Sequence, residues 1–317
     1  MNIVYLGSGE FGLPCLDAIR SSRHSLALVV TGPASPAGRG RKVCPMPVAH
    51  WAENNAVPFI ESENVNDPQI VRRIAETHPD VLLVIACGQK IGRELVNMPT
   101  KLAINVHSSL LPKYRGAGPI NWAILRGETE TGVSIITLAD RMDAGDILAQ
   151  ARTPIDVFET AGELHDRLAQ LAAPLLIETL DRIESDTVVF TPQNEFEATK
   201  APKLKKSDGF LDFTEPAYIL ADKIRGLWPW PGAAANFVSS ETGKTTRVIL
   251  ALAEVIWGDA PPQAAPGTFD EDLNVLCGEG KLGIRKIKPA GKGLMEFKAF
   301  INGWRLRAGD RLTKIEE

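Results

Sequence analysis

Residues 105–116 read Asn-Val-His-Ser-Ser-Leu-Leu-Pro-Lys-Tyr-Arg-Gly, and they predict the point where an apolar strand, residues 102–106, ends in a Gly-rich loop, residues 115–119. Because successive side chains of a strand alternate between its two faces, Asn105 and His107 point to the same side. An isolated Asn-x-His is also typical of a polar pair that caps a loop. At the end of a strand, however, such a pair lies where open α/β sheets place ligands.

A carboxylate follows the next predicted strand, residues 132–138. Asp143 begins an Asp-Ala-Gly sequence, which favours a turn. A carboxylate there can reach the imidazole of His107, fix its tautomer and favour its protonated form. Asn, His and Asp without an adjacent nucleophile suit acyl transfer to an external amine, since an amide and an imidazolium stabilise an oxyanion. Asn105, His107 and Asp143 are therefore the candidate catalytic residues.

Three motifs resemble those of the folate-dependent formyltransferases in order and spacing: Asn105-x-His107, Ser109-Leu-Leu-Pro112 with Arg115-Gly116, and Asp143-x-Gly145-Asp146. The resemblance extends over the whole chain. It implies transfer of a formyl group from 10-formyltetrahydrofolate, as co-substrate, to the α-amino group of methionyl initiator tRNA. It also implies that Asn105 and His107 hold the oxyanion, while Asp143 orients His107 and relays the proton of the amine.

The same resemblance implies where the folate binds. One segment is the loop that Pro112 shapes, and the other lines the pterin pocket with its backbone, together with the loop before Asp143. The predicted folate contacts are Ser109, Leu110, Leu111 and Pro112 in the first segment, and Cys87, Gly88 and Gln89 in the second.

Other chemistries have weaker support in the sequence. Cys87 could pair with His107 as a nucleophile, but no nucleophile signature surrounds it, which favours a small buried cysteine beside a turn. Ser108 and Ser109 lack the G-x-S-x-G pattern of a hydrolase. The five histidines have no spacing typical of metal ligands, so we expect no metal.

The first loop contains a G-x-G-x-x-G pattern, residues 7–12, between a predicted strand and a helix. A dinucleotide site would require an acidic residue at the end of the second strand, residues 25–31. That strand ends in Val-Val-Thr-Gly-Pro instead. We therefore expect no nicotinamide cofactor and interpret the glycines as allowing a tight turn and close helix packing.

A basic arm, residues 32–47, holds seven Gly or Pro among its sixteen residues. Loops of this length without regular structure are commonly functional or disordered. Arg39, Arg41 and Lys42 are interleaved with glycine, which suits contact with phosphates, although a solvated basic turn would have the same composition. The resemblance implies that these residues engage the acceptor end of the tRNA.

The net charge of −4 conceals an asymmetry. Residues 1–200 carry 18 basic and 24 acidic side chains, whereas residues 201–317 carry 17 and 15. Segment 281–311 alone holds nine basic and two acidic residues. This pattern fits either a polyanion-binding surface or the solvated surface of a small β domain. We predict further tRNA contacts at Lys206, Lys286, Lys288 and Lys292.

The length of 317 residues predicts two domains. We expect a doubly wound, mostly parallel α/β sheet in a catalytic domain, residues 1–190. A polar linker, residues 191–206, would lead to an OB-like β-barrel, residues 207–317, since short strands separated by turns recur there.

Composition indicates an ordinary soluble protein, with 44% hydrophobic and 23% charged residues. The first residues lack the basic and apolar regions of a signal peptide, and the four cysteines form no Cys-x-x-Cys pair. We expect a reduced, cytoplasmic protein that acts as a monomer and has no membrane partner.

Four alternative functions remain. A formyltransferase acting on an amino-sugar nucleotide shares both domains but lacks the basic arm, and a purine-pathway formyltransferase lacks the C-terminal domain. A dinucleotide-dependent oxidoreductase requires the missing acidic residue. A non-catalytic RNA-binding module leaves Asn105, His107 and Asp143 unexplained.

Overall fold

The computed structural model describes residues 1–37, 42–257 and 265–316. These residues form two compact units. The N-terminal unit comprises Met1–Pro119, Thr131–Thr153 and His165–Pro202, and the C-terminal unit comprises Ile120–Glu130, Pro154–Leu164 and Lys203–Glu317. The predicted boundaries at residues 190 and 206 stay a prediction.

The strands and helices, numbered along the chain, have the following bounds. The strands are β1 Asn2–Leu6, β2 Ser25–Thr31, β3 Ser35–Ala37, β4 Lys42–Cys44, β5 Phe59–Glu61, β6 Val81–Val84, β7 Leu102–His107, β8 Arg115–Gly116, β9 Glu130–Thr137, β10 Ile147–Pro154, β11 Lys200–Ala201, β12 Ala233–Val238, β13 Thr245–Ile256, β14 Val275–Leu276, β15 Lys281–Pro289, β16 Met295–Glu296 and β17 Arg311–Thr313. The helices are α1 Leu13–Arg20, α2 Pro47–Asn54, α3 Pro68–Ala75, α4 Arg93–Val96, α5 Pro119–Leu125, α6 Ala161–Glu184, α7 Ala217–Gly226 and α8 Phe297–Trp304. None of the described helices has the length and apolar character needed to cross a bilayer.

The N-terminal unit is built on a seven-stranded sheet in the order β10-β9-β7-β6-β1-β2-β5. Strands β5, β2, β1, β6 and β7 are parallel, whereas β9 runs antiparallel to β7. All four residues of β6 are buried, as expected for a strand covered on both faces. The prediction of a mostly parallel α/β sheet is confirmed.

The Gly-rich first loop serves packing. The hydroxyl of Tyr5 is buried against this loop, and a Cβ atom at Gly12 would overlap it. A Cβ atom at Gly7 would overlap the carbonyl oxygen of Ile85. The interpretation as packing positions is therefore confirmed for Gly7 and Gly12, whereas a Cβ atom at Gly9 would make only an ordinary contact with Ala86.

Helix α6 begins with a reciprocal cap. The Thr160 N–H donates to Oε2 of Glu163 at 2.9 Å, and the Glu163 N–H donates to Oγ1 of Thr160 at 3.3 Å. Such a capping box satisfies two backbone donors that the first turn of a helix leaves without partners. The sequence Thr-x-x-Glu predicts this start.

The C-terminal unit contains an antiparallel sheet in the order β14-β15-β13-β12-β17, with β16 paired to β15. Residues 267–269 connect the two edge strands, because Gly267 accepts from the Leu312 N–H and donates to the Leu276 carbonyl, both at 2.7 Å. The sheet is thereby a nearly closed barrel, and the prediction of an OB-like barrel is confirmed. Phe297 and Phe300 lie in its core.

The basic arm differs from the expected irregular loop. Strands β3 and β4 form an antiparallel pair within it, with Ser35 opposite Cys44 and Ala37 opposite Lys42. The correction has a simple cause, since the backbone N–H and C=O groups of two extended segments can pair whatever their side chains are. Arg39 and Arg41 lie outside the described residues, and so does the side chain of Lys42.

Candidate active site

Asn105 and His107 lie at the end of β7. This strand ends at His107, one residue beyond its predicted end. His107 is buried, and its Nε2 lies 3.0 Å from the carbonyl oxygen of Tyr114. Because a carbonyl oxygen can only accept, Nε2 carries a hydrogen. The other ring nitrogen, Nδ1, lies 3.7 Å from Oδ2 of Asp143.

The carboxylate of Asp143 lies close to the other polar groups of the site. The backbone N–H of Gly116 donates to its Oδ2 at 2.9 Å. The amide Nδ2 of Asn105 lies 3.5 Å from its Oδ1, and His107 approaches Oδ2 as described. The structure therefore brings the three predicted catalytic residues together, with the backbone of Gly116 as the closest partner of the carboxylate.

Asn105 retains capacity to bind a ligand. Among the described residues its side chain makes no hydrogen bond other than the long one to Asp143. A carboxamide has two N–H groups, so one of them remains to donate to a substrate oxygen. The side chain is half-buried, which leaves it accessible from the surface.

Asp143 reaches this position because its loop folds back. Strand β9 is antiparallel to β7, so its carboxyl end lies beside Ile104 rather than at the end of β7. The turn is closed by the Thr137 N–H, which donates to the Asp146 carbonyl at 3.0 Å. Asp143 itself has a φ of 54°, and a Cβ atom at Gly145 would overlap the carbonyl of Thr137. This turn therefore requires a glycine at 145.

The loop that holds His107 and Asp143 is itself paired with a later segment. Strand β8 is parallel to β11, and the Tyr114 N–H donates to Oγ1 of Thr199 at 2.9 Å. Gly116 has a φ of 127°, and a Cβ atom there would lie 2.5 Å from the Ala201 carbonyl oxygen. Residues 199–201 thus fix the backbone that binds both catalytic side chains.

Arg115 forms a structural ion pair with Glu195. Its guanidinium donates to Oε1 of Glu195 at 3.0 Å and to Oε1 of Gln193 at 2.7 Å. The hydrogen bonds from Arg115 and then Arg141 lower the pKa of the Glu195 carboxyl below its usual range. Only 13% of the Arg115 side chain is exposed, so a substrate phosphate would have to compete with these partners.

The Ser109–Pro112 loop divides into buried and accessible parts. Ser109 is buried, with its Oγ donating to the Lys113 carbonyl at 2.7 Å, and Leu111 is buried as well. Leu110 and Pro112 are half-buried. Of the four predicted folate contacts in this loop, these two therefore have side-chain surface that a ligand can reach.

A buried hydroxyl holds this loop in place. Ser134, on β9, donates to the Ser109 carbonyl at 2.7 Å and accepts from the Leu111 N–H at 3.0 Å. Gln150 donates to Ser134 at 2.8 Å and to the Leu111 carbonyl at 2.9 Å. Because buried polar groups without partners are costly, this network defines one conformation of the loop.

A cavity of about 730 Å³ lies beside the second predicted folate segment. Its lining consists of residues 90–93, 96–97 and 138–140, in which Ile91, Val96 and Leu138 are apolar. An ion pair of 2.8 Å between Arg93 and Asp140 lies at this cavity. Its volume is within the usual range of small-molecule sites.

Cys87, Gly88 and Gln89 precede this cavity in sequence. The side chain of Gln89 accepts from the Val65 N–H at 2.9 Å, which fixes the turn. Burial raises the pKa of the Cys87 thiol, so the thiolate required of a nucleophile is disfavoured. A half-buried structural cysteine is therefore the better interpretation of Cys87.

The predicted tRNA contacts in the C-terminal unit lie on its surface. Lys206 and Lys292 are exposed, whereas Lys286 and Lys288 are half-buried and alternate with buried residues along β15. The ammonium of Lys288 lies 5.9 Å from the centre of the Trp228 ring. Lys286 and Lys288 occupy alternate positions in β15, which is consistent with a shared face of the strand.

One group of side chains within the described residues has ligand atoms close enough for a metal ion, namely His24, Asp181 and Glu184. The guanidinium of Arg23 already pairs with both carboxylates, at 2.8 and 2.7 Å. Burial lowers the pKa of His24. These side chains form an ion-pair cluster in which Arg23 already binds both carboxylates.

Sequence reasoning missed three partners of the catalytic residues. Two are backbone groups, the Tyr114 carbonyl and the Gly116 N–H, and backbone groups have no signature of their own. The third is Gln193, whose side chain donates to the carbonyls of Asp143 and Gly145. Gly116 itself is the one sequence signal that could have indicated that another backbone segment approaches closely there.

Comparison with known proteins gives two family matches. A family model described as formyl transferase matches residues 1–180, and one described as formyl transferase, C-terminal domain, matches residues 203–305. The first contains Asn105, His107 and Asp143, and the second contains most of the barrel.

Similar proteins cover the chain almost completely. A methionyl-tRNA formyltransferase of Citrifermentans bemidjiense is 37% identical over 314 residues, which is 99% of this chain and 97% of that protein. A methionyl-tRNA formyltransferase of Moorella thermoacetica is 36% identical, over 98% of this chain and 99% of that protein. Among solved structures, the N-formyltransferase from Helicobacter canadensis with folinic acid and dTDP-3-aminofucose has a TM-score of 0.63 at 17% identity, covering 92% of this chain and 99% of that chain. The structural similarity shows the fold.

Proposed function

Since this chain belongs to the methionyl-tRNA formyltransferase family, we propose that it transfers the formyl group of 10-formyltetrahydrofolate to the free α-amino group of methionyl-tRNA. The product is formylmethionyl initiator tRNA for translation initiation. One observation carries this proposal beyond family membership. Asn105 and His107 approach the carboxylate of Asp143 from one strand, without a described nucleophile of lowered pKa beside them.

The reaction requires a bond to form and another to break at the formyl carbon. The amine nitrogen attacks the formyl carbon, and the carbonyl oxygen becomes an oxyanion. Collapse of this intermediate expels N10 of tetrahydrofolate, and one proton moves from the amine to that nitrogen. The protein must therefore stabilise a negative oxygen and move one proton.

Asn105 and His107 supply the oxyanion donors in this proposal. The N–H of Asn105 that does not face Asp143 donates to the oxygen, and protonated His107 donates through Nδ1, because Nε2 is held by Tyr114. Removal of one such donor typically lowers kcat on the order of a hundredfold or more.

Asp143 orients His107 and accepts the proton of the attacking amine. Its separations of 3.7 Å from His107 and 3.5 Å from Asn105 are longer than good hydrogen bonds. Because these separations are long, the Nδ1 hydrogen of His107 and the second N–H of Asn105 stay available to the oxyanion. The carboxylate meanwhile stays in place through the Gly116 N–H, at 2.9 Å.

The cavity beside residues 90–93 supports a folate site. The apolar part of its lining, Ile91, Val96 and Leu138, suits an aromatic pterin, and the backbone of residues 87–89 lies next to it in the chain. Leu110 and Pro112 offer the accessible side-chain surface of the other predicted segment. No step of this mechanism requires a metal or a nicotinamide cofactor.

The tRNA contacts remain proposals for both units. The exposed and half-buried lysines of β15 and its following turn offer positive charge to the phosphates of the tRNA body. Arg39, Arg41 and Lys42 of the basic arm are proposed to hold its acceptor end. A cytoplasmic location and a monomeric state stay predictions, which cell fractionation and light scattering would test.

A direct experiment uses radiolabelled 10-formyltetrahydrofolate with three acceptors: methionyl-tRNA, a dTDP-linked amino sugar and glycinamide ribonucleotide. The proposal predicts rapid labelling of methionyl-tRNA and none of the other two. Labelling of the amino sugar without labelling of methionyl-tRNA would contradict it.

A further inference from the structure

Gln193 connects the catalytic loop, residues 138–146, to Arg115 at the start of strand β8. Its Nε2 donates to the carbonyl oxygens of Asp143 at 2.8 Å and Gly145 at 2.7 Å. Its Oε1 accepts from Nε of Arg115 at 3.0 Å and from Nη2 of Arg115 at 2.7 Å. The carboxamide thereby uses both of its N–H groups and both lone pairs of its oxygen.

The orientation of this amide is unambiguous. A guanidinium can only donate and a carbonyl can only accept, so the oxygen of Gln193 must face Arg115 and its nitrogen must face Asp143. Glutamate has the same shape but could not donate to the two carbonyls. The site is therefore specific for glutamine among side chains of this length.

The hydrogen bonds from Gln193 reach the catalytic loop at Asp143, where the backbone has a positive φ angle. Asp143 has a φ of 54°, a conformation that non-glycine residues adopt rarely. Gln193 holds the carbonyl of this residue and that of Gly145, two residues later. The backbone of Asp143 is thus held by Gln193, whereas its carboxylate is held by the Gly116 N–H.

From this arrangement we propose that Gln193 is a positioning residue for formyl transfer, and that it acts by holding the backbone of Asp143 so that the carboxylate faces Asn105 and His107. This inference rests on the proposed function. Arg115 orients Gln193 in turn, because its guanidinium donates both to Gln193 and to Glu195. No atom of Gln193 needs to touch either substrate.

The test compares Gln193→Met and Gln193→Glu with wild type in steady-state formylation of methionyl-tRNA. Methionine retains the volume and loses all four hydrogen bonds, whereas glutamate retains the acceptors for Arg115 and loses both donors to the catalytic loop. We expect both variants to lower kcat about tenfold to a hundredfold, since misplacement of a catalytic group by about 1 Å has such an effect. KM for the folate and for methionyl-tRNA should change less than about twofold, because neither substrate is contacted.

A second comparison separates positioning from folding. In an Asp143→Asn background, Gln193→Met should lower the residual kcat less than about threefold, because the two residues act through the same carboxylate. The control Asn55→Leu removes a carboxamide that donates to the Trp51 carbonyl at 2.8 Å, far along the chain from the catalytic loop. This variant should retain the wild-type kcat, and thermal unfolding establishes that each variant is folded.

The outcomes are distinguishable. Wild-type protein that fails to formylate methionyl-tRNA would overturn the proposed function itself. If the wild type is active and the Gln193→Glu variant has the same kcat, the positioning role is overturned, because glutamate keeps only the contact with Arg115. The role would also be overturned if both variants were unfolded at 25 °C, since Gln193 would then be a folding determinant.

Discussion

The backbone N–H of Gly116 donates a hydrogen bond of 2.9 Å to Oδ2 of Asp143, across 27 positions of sequence. This contact is shorter than the separations between the same carboxylate and either His107 or Asn105. The carboxylate is therefore anchored by the main chain. The donors of Asn105 and His107 that face this carboxylate make no short hydrogen bond to it, so they stay available to a substrate.

Gly116→Ala should lower both stability and turnover. The added Cβ would lie 2.5 Å from the Ala201 carbonyl oxygen, and the φ of 127° is unfavourable for alanine. We expect a loss of about 1 kcal/mol or more in the free energy of unfolding. Because the N–H that holds Asp143 would shift, kcat should fall by about tenfold or more. Denaturant unfolding and steady-state formylation measure the two effects.

A matched control is Gly303→Ala, in helix α8. No heavy atom lies within 4 Å of a Cβ atom added there, and alanine is favoured over glycine within a helix. This variant should be as stable as wild type or more stable by about 0.5 kcal/mol. Equal behaviour of the two alanine variants would contradict a special role for Gly116.

The sequence alone predicts the proposed catalytic trio, Asn105, His107 and Asp143, because the geometry of these residues is local. Asn105 and His107 follow from the alternation of side chains in one strand, and Asp143 follows from a turn-forming Asp-Ala-Gly. The capped start of α6 is equally local, since Thr160 and Glu163 are three residues apart. Contacts between residues a few positions apart depend on local backbone geometry, which sequence patterns reveal.

The contacts that hold the trio in place are not local. Gln193 meets the carbonyls of Asp143 and Gly145 from 50 and 48 positions away, within a polar, irregular stretch that composition marks as a linker. The antiparallel direction of β9 likewise depends on how the chain returns after β8, which periodicity does not encode. Side chain to backbone contacts of this range emerge only in the fold.

The C-terminal lysines provide a test of tRNA binding. Lys286→Ala, Lys288→Ala and Lys292→Ala combined should weaken the binding of methionyl-tRNA and reduce the slope of log K against log salt by up to about 3. The kcat at saturating tRNA should change little, because none of these lysines belongs to the proposed catalytic set. Lys101→Ala, which removes a cation paired with Asp186 at 2.6 Å, is the control. An unchanged salt slope in the triple variant would assign these lysines to the solvated surface.

The basic arm has a separate prediction, which rests on its sequence. Replacement of Arg39, Arg41 and Lys42 by Ala should raise KM for methionyl-tRNA and lower kcat, because the acceptor end would be held less firmly. Folate affinity, measured by calorimetry, should remain that of wild type. Normal formylation by this variant would identify the arm as a solvated loop and strengthen the amino-sugar alternative.

Thiol reactivity tests the interpretation of the cysteines. Burial raises the pKa of Cys15 and Cys277 to about 12, and it raises the pKa of Cys87 as well. A raised pKa lowers the thiolate fraction at a given pH, and only the thiolate is alkylated readily. At pH 8, iodoacetamide should therefore label exposed Cys44 first and leave Cys15 and Cys277 unmodified until the protein unfolds. Mass spectrometry gives the order, and labelling of Cys87 before Cys44 would revive its role as a nucleophile.

The most direct test of the account is a double-mutant cycle on His107 and Asp143, measured as kcat for formylation of methionyl-tRNA. Because the imidazole and the carboxylate act as a unit, His107→Ala and Asp143→Ala should each lower kcat on the order of a hundredfold or more, and the double variant should be little slower than either single variant. A His107→Ala enzyme with near wild-type kcat, or losses that multiply in the double variant, would contradict it.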